Sequence, residues 1–199
     1  PQIYAMKKIL QYDNEKFIRE IGILARLDHP CILSFRGFAL PYKNQKAVII
    51  TEFISNGDLT TAVQKSPPGW TATKKMINIY GIAKGLQYCH AHNVLHRDLK
   101  PDNILLDSRY EPHIVDFGLS KLADPQEMMK QSIAQGTPIY SAPEFLEDCS
   151  GGEKMDVYSF DVIVFFILTG TVPFSDAKNQ FEVINYVVGG QREKIPDDV

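Results

Sequence analysis

Residues 94–107 read VLHRDLKPDNILLD. An apolar pair, Val94 and Leu95, leads into His96, Arg97 and Asp98. Lys100 and Asn103 follow, and a second apolar run occupies 104–106. Polar residues clamped between two short β-forming segments predict a rigid loop between paired strands. Seven residues past Asp107 comes Ile114-Val115-Asp116-Phe117-Gly118, a further short strand ending in a carboxylate.

His96-Arg97-Asp98 with Asn103 resembles the catalytic loop of the protein kinases, and Asp116-Phe117-Gly118 resembles their metal-binding triplet. Either motif alone occurs by chance. Both together, in this order and followed by Ala142-Pro143-Glu144, make the resemblance specific. The bland alternative is a charged surface loop in some other α+β domain. The resemblance implies an α+β, two-lobed protein kinase fold. It divides the chain into a partial small lobe at 1–51, a hinge at 52–56 and a partial large lobe at 57–199. The small lobe would lack its first two strands, with the glycine-rich loop between them, and the large lobe its final helices. The expectation is therefore a kinase domain truncated at both ends.

Composition bounds the rest. The chain has 199 residues and a net charge of -3, which gives no support for a nucleic-acid partner. Cys31, Cys89 and Cys149 are widely spaced and suggest neither a disulfide framework nor a clustered metal motif. A reducing, cytoplasmic setting is expected. No basic region leads into an apolar stretch at the start, so no signal peptide is visible. The longest apolar run, near 157–168, is interrupted by Ser159 and Asp161. It is also too short to span a bilayer and reads as a buried helix.

Residues 3–10 read as a strand carrying Ala5 and Lys7. Lys7 resembles the kinase lysine that pairs with the α- and β-phosphates of ATP. Lys8 must face the opposite side, because strand side chains alternate. Without the downstream motifs, Lys7 would read as an exposed strand lysine. Asp13 can cap a helix to residue 27, with Phe17, Ile21, Leu24 and Leu27 as its apolar stripe. Glu20 matches the family's partner for the lysine. Glu15 competes, but the helix dipole alone favours an acidic residue in the first turn. Residues 31–40 and 46–51 read as two antiparallel strands. Thr51 resembles the residue guarding the adenine pocket. The backbone of Glu52 and Ile54 would bond the adenine edge. Asp58 is either an N-cap or a partner for the ribose hydroxyls.

Thr71 or Thr73 caps a helix to residue 92, whose buried face is expected to hold Met76, Ile79, Ala83, Leu86 and His90. His90 and His92 read as structural rather than as zinc ligands. Residues 123–134 are polar and aperiodic, as a regulable loop would be. Asp156 would sit buried at the start of the apolar helix and bond the catalytic loop. Asp161 stands where the family usually has glycine, and must find a donor or reach water. Gly170 ends that helix, and 179–188 read as one more.

The resemblance implies ATP-dependent phosphoryl transfer to protein substrates. Asp98 would take the proton of the substrate hydroxyl, and Lys100 would steady the phosphoryl group. Asn103 and Asp116 would hold magnesium, a hard cation suited to oxygen ligands. Ala5 and Leu105 would sandwich the adenine, and His96, Phe117, Leu24 and Phe35 would form an apolar spine. Arg97-Asp98-Leu99-Lys100-Pro101 is the serine/threonine pattern, and Thr137 matches a threonine that positions the catalytic residues. The wording of 141–144 and 156–160 resembles the tyrosine-kinase-like group. Ser132, five residues before Thr137, is a candidate site for an upstream kinase, its phosphate pairing with Arg97. Ser120 is too close to the metal triplet to compete. The competing readings are a pseudokinase scaffold, which would need a degenerate loop upstream of Pro1, and an inert fragment.

Overall fold

The computed structural model describes residues 2–10, 12–43, 46–117 and 138–195. Gly118, Ser120, Lys121, Ser132 and Thr137, with the expected regulable loop, lie outside the described residues. The order of elements is β1 (Tyr4–Lys8), α1 (Asn14–Leu24), β2 (Phe35–Ala39), β3 (Val48–Glu52), α2 (Leu59–Lys65), α3 (Ala72–Ala91), β4 (Ile104–Leu106), β5 (Pro112–Ile114), α4 (Pro143–Asp148), α5 (Glu153–Thr169) and α6 (Gln180–Val188). A small lobe of three antiparallel strands, ordered β1-β3-β2, carries α1. The larger lobe is helical and holds the β4-β5 ribbon.

In the small lobe, α1 buries the predicted stripe of Phe17, Ile21, Leu24 and, just past its end, Leu27. The Asp13 carbonyl accepts the Phe17 N–H at 2.9 Å, so the helix starts at the expected place. The first predicted strand is confined to Tyr4–Lys8. The second begins at Phe35 rather than at residue 31. The reason lies in the backbone bonds of 31–33, which run to β5 instead. The Ile114 N–H donates to the Cys31 carbonyl at 2.8 Å, and the Leu33 N–H to the Ile114 carbonyl at 3.0 Å. Thus the segment before β2 is docked on a strand of the other lobe.

The expected strand pairing around the 94–107 loop is corrected. Val94 and Leu95 form no strand, because the Val94 N–H returns to the Cys89 carbonyl at the end of α3. β4 pairs with β5 instead, Leu105 opposite His113.

Thr71 caps α3, its hydroxyl accepting the Lys74 N–H at 3.3 Å. The buried face of α3 differs from the expectation. Leu86 is buried as expected and Ile79, Ala83 and His90 are half-buried, but Met76 is 59% exposed, whereas Asn78, Gly81, Ile82, Gly85 and Cys89 are buried. Glycines carry no apolar signal, yet here they allow the helix to lie close on β5. A Cβ added at Gly81 would stand 2.7 Å from Pro112 Cγ, and one at Gly85 2.8 Å from Ile114 Cδ1. Alanine in an exposed helix interior would gain about 1 kcal/mol over glycine. At Gly81 it meets a proline ring that cannot turn aside, and overpacking costs about 1–3 kcal/mol. Gly81→Ala is therefore expected to destabilise the protein by about 1 kcal/mol in a urea titration. A gain in stability would refute the close-packing account.

α5 is the centre of the large lobe. Met155, Val162, Ile163, Phe166 and Ile167 are buried, and Gly170 closes the helix at φ 73°. Asp161 is exposed and meets its solvation need with water. α6 is capped by Asn179, whose side chain accepts the Glu182 N–H at 3.1 Å. Among the described residues, no helix is long and apolar enough to cross a membrane.

Candidate active site

The loop after α3 is shaped by one buried carboxylate. Asp156, 1% exposed near the start of α5, accepts the His96 N–H on Oδ2 at 2.9 Å and the Arg97 N–H on Oδ1 at 2.8 Å. Its Oδ2 also lies 2.8 Å from His90 Nε2. These bonds hold Arg97 at φ 66°, a conformation a non-glycine residue adopts only when its surroundings impose it. Burial opposes ionisation of Asp156. The hydrogen bond from His90, with His96 and the loop amides, outweighs burial and lowers its pKa.

His96 is fully buried, with its ring edge-on to Phe117 at 5.0 Å between centroids. Its Nε2 lies 2.9 Å from the Val115 carbonyl, which can only accept, so Nε2 carries the proton. Nδ1 is then free to accept the Asp98 N–H at 3.3 Å. The histidine thus ties the start of the loop to the strand leading to Asp116.

Asp98, Lys100 and Asn103 converge. Lys100 Nζ lies 3.0 and 3.2 Å from the two Asp98 oxygens. Asn103 Nδ2 donates to the Asp98 carbonyl at 2.7 Å and to Asp98 Oδ2 at 3.0 Å. Both partners are acceptors, which assigns the amide nitrogen and leaves Oδ1 as the oxygen end. Pro101–Asn103 forms a 3-10 turn, closed by the Asn103 N–H on the Lys100 carbonyl at 2.9 Å.

Across the cleft, Lys7 Nζ lies 2.9 Å from Asp116 Oδ1 and 3.4 Å from Glu20 Oε1. The structure places Glu20 beside the lysine, while Glu15 stays exposed in the first turn. Burial would lower the Lys7 pKa, but the two carboxylates raise it. Burial would raise the Asp116 pKa, but Lys7, followed by His96 and Lys100, lowers it. Asp116 also takes a left-handed backbone, φ 62°. An ionised Asp116 carboxylate and the Asn103 amide oxygen are hard oxygen donors, which fits magnesium.

A cavity of about 260 Å³ has the Lys7 group on its wall and reaches the Asp98 loop at Asn103. Lys7, Glu20, Thr51, Asn103, Leu105 and Asp116 line it. Leu24, Leu33, Ile49, Val115 and Phe117 complete its walls, mostly apolar and so suited to a flat ring system. Ala5 is half-buried opposite Thr51 in the sheet register and lies off the wall. Glu52 is the last residue of β3, and its carbonyl accepts the Thr51 hydroxyl at 3.1 Å. Ile54 is half-buried just beyond. Asp58 caps α2, accepting the Thr61 N–H at 2.7 Å, so one of its oxygens is already engaged. Leu33, Ile49 and Val115 are absent from the sequence reading of the site. Strand alternation from Thr51 points to Ile49; Leu33 has no comparable local signal.

Two lobes meeting over a lysine-carboxylate pair, a cavity and an Asp-Lys-Asn loop are the arrangement of a protein kinase domain. Comparison with known families agrees: residues 1–195 match the protein kinase domain, and the chain belongs to that family. It is similar to the serine/threonine-protein kinase CTR1 of Arabidopsis thaliana, 38% identical over 81% of this chain and 20% of that protein. It is also similar to FEI 2 of the same plant, an LRR receptor-like serine/threonine-protein kinase, 32% identical over 96% of this chain and 34% of that protein. A protein of Acanthamoeba polyphaga mimivirus designated serine/threonine-protein kinase/receptor R818 is 34% identical over 98% of this chain. The chain spans 11% of that viral protein's length.

Proposed function

We propose that the protein containing this chain transfers phosphate from ATP to serine or threonine hydroxyls of protein substrates. The observation that carries the reading is that Lys7, Glu20, Asp116 and Asn103 line one cavity, while Asn103 is bonded to Asp98, which Lys100 also contacts. Asp98 is the group that orients and accepts the hydroxyl proton. Lys100, held against it, steadies the phosphoryl group. Lys7 holds the α- and β-phosphates, with Glu20 fixing its position. Thr51 and Leu105 line the adenine space, Ala5 borders it from β1 behind Thr51, the backbone of Glu52 and Ile54 bonds its edge, and Asp58 keeps one oxygen for the ribose. Magnesium, held by Asn103 and Asp116, would supply charge neutralisation of the phosphates.

Residues 1–51, 52–56 and 57–199 then act as small lobe, hinge and large lobe. The relatives' names and the Arg97-Asp98-Leu99-Lys100-Pro101 pattern support serine/threonine acceptors, and Thr137 fits the same choice. The 141–144 and 156–160 wording favours the tyrosine-kinase-like group. The wide spacing of Cys31, Cys89 and Cys149 suits a cytoplasmic setting. An upstream kinase acting on Ser132 would add a phosphate whose charge suits pairing with Arg97.

The test is transfer of labelled phosphate from ATP to a serine/threonine peptide library by the full-length protein. Transfer that stops when magnesium is chelated is the expected result. Absence of transfer to any acceptor, the protein itself included, would overturn the reading.

A further inference from the structure

The side chain of Glu52 is not part of the cavity wall. Its Oε1 accepts the Ser34 N–H at 2.7 Å and lies 3.6 Å from Nδ1 of His113. The Glu52 and His113 side chains are only 27% and 13% exposed. Nδ1 of His113 is shielded from solvent and has no hydrogen-bond partner among the described residues. A buried polar atom without a partner is costly, and the Glu52 carboxylate stands against this one. At 3.6 Å the pair is just outside hydrogen-bond range, so a small rotation closes it.

The two residues belong to different lobes. Glu52 ends β3, where the chain leaves the small lobe. His113 is the middle residue of β5, opposite Leu105 of the cavity wall and three residues before Asp116. The Ile114 bonds to Cys31 and Leu33 hold the segment before Ser34 on the same strand. Ser34, Glu52 and His113 therefore make a polar link between the lobes behind the hinge.

We infer that the Glu52–His113 contact is a strut fixing the hinge against β5, and that His113 is a positioning residue for the nucleotide. The inference rests on the reading of the cavity as an ATP site. Adenine recognition needs the Glu52 carbonyl and the Ile54 N–H at a fixed spacing. With the strut cut, the hinge samples more conformations and binding must bear the cost of ordering it. Asp98, Lys100 and Asn103 do not touch the strut, so the transfer step is unaffected.

His113→Phe keeps the ring volume and removes both nitrogens, whereas His113→Gln restores a donor toward Glu52. In the full-length protein, His113→Phe is expected to speed hydrogen exchange at the Phe53 and Ile54 amides about 3–10-fold. It should raise KM for ATP by about the same factor, with kcat within about 2-fold. His113→Gln should recover most of both effects. In a Glu52→Leu background, His113→Phe should add little. Unchanged hinge exchange, an effect on kcat rather than KM, or equal behaviour of the Phe and Gln variants would overturn the strut. If the unmodified protein binds no ATP, the cavity reading fails, and hinge exchange still decides the strut. Should His113→Phe fail to fold, His113→Leu gives the same comparison.

Discussion

Asp98→Asn is expected to lower the rate of phosphoryl transfer about 10³-fold, near the middle of the range for loss of a general base. The substitution is isosteric. The remaining carbonyl oxygen can still accept from Lys100 or Asn103, which lie 3.0 Å from the carboxylate in the native protein. What disappears is the second oxygen and the negative charge that would draw the hydroxyl proton. Lys7 and Asp116 make their mutual contact at 2.9 Å without Asp98, so affinity for ATP with magnesium should stay within about 3-fold. Single-turnover rates and a nucleotide titration on the same preparation check both halves. A rate loss under tenfold, with folding intact, would remove Asp98 from the proposed role.

The largest loss of stability is expected from Asp156→Ala. The change strands two backbone donors, the N–H groups of His96 and Arg97, and leaves His90 without its partner. Breaking such a buried, charged network costs about 3–5 kcal/mol. Transfer should fall as well, because the Arg97 N–H loses the bond that helps hold its backbone at φ 66°. Denaturant melts against native protein measure the first effect. A destabilisation under 1 kcal/mol would mean that the loop does not depend on Asp156.

The same pair sets a pH signature. His90 has its pKa raised, chiefly by the hydrogen bond to Asp156, above the ordinary value of 6.5. Its contribution is full below 6.5 and is lost as pH rises through the higher folded value. Asp156 has its pKa lowered below the ordinary 3.8. Its contribution is present above 3.8 and is lost as pH falls through the lower folded value. The pair therefore stabilises most between about pH 4 and 6.5. His90→Gln should flatten the alkaline side of the stability profile, and an unchanged slope there would refute the pairing.

The relation between sequence and structure differs from element to element. The motif residues were legible because their chemistry is local. Asp98, Lys100 and Asn103 lie within six residues, so a short turn suffices to bring them together. The apolar stripe of α1 was legible for a similar reason, since helical period alone puts Phe17, Ile21 and Leu24 on one face. The buried face of α3 was not. Its contact with β5 is made through Gly81 and Gly85, and absence of a side chain leaves no hydrophobic signal to count.

Sequence by itself determined the kind of fold, the helices with strong periodicity, and the pairing of Lys7 with Glu20 rather than Glu15. Tertiary structure alone decided that 31–33 dock on β5 instead of lengthening β2, and that β4 pairs with β5 rather than with Val94 and Leu95. It also decided that Glu52 meets His113. The physical reason is common to all three. A backbone N–H or a side-chain carboxylate can engage any suitable polar group beside it, and only the packing of distant segments determines which partner arrives there.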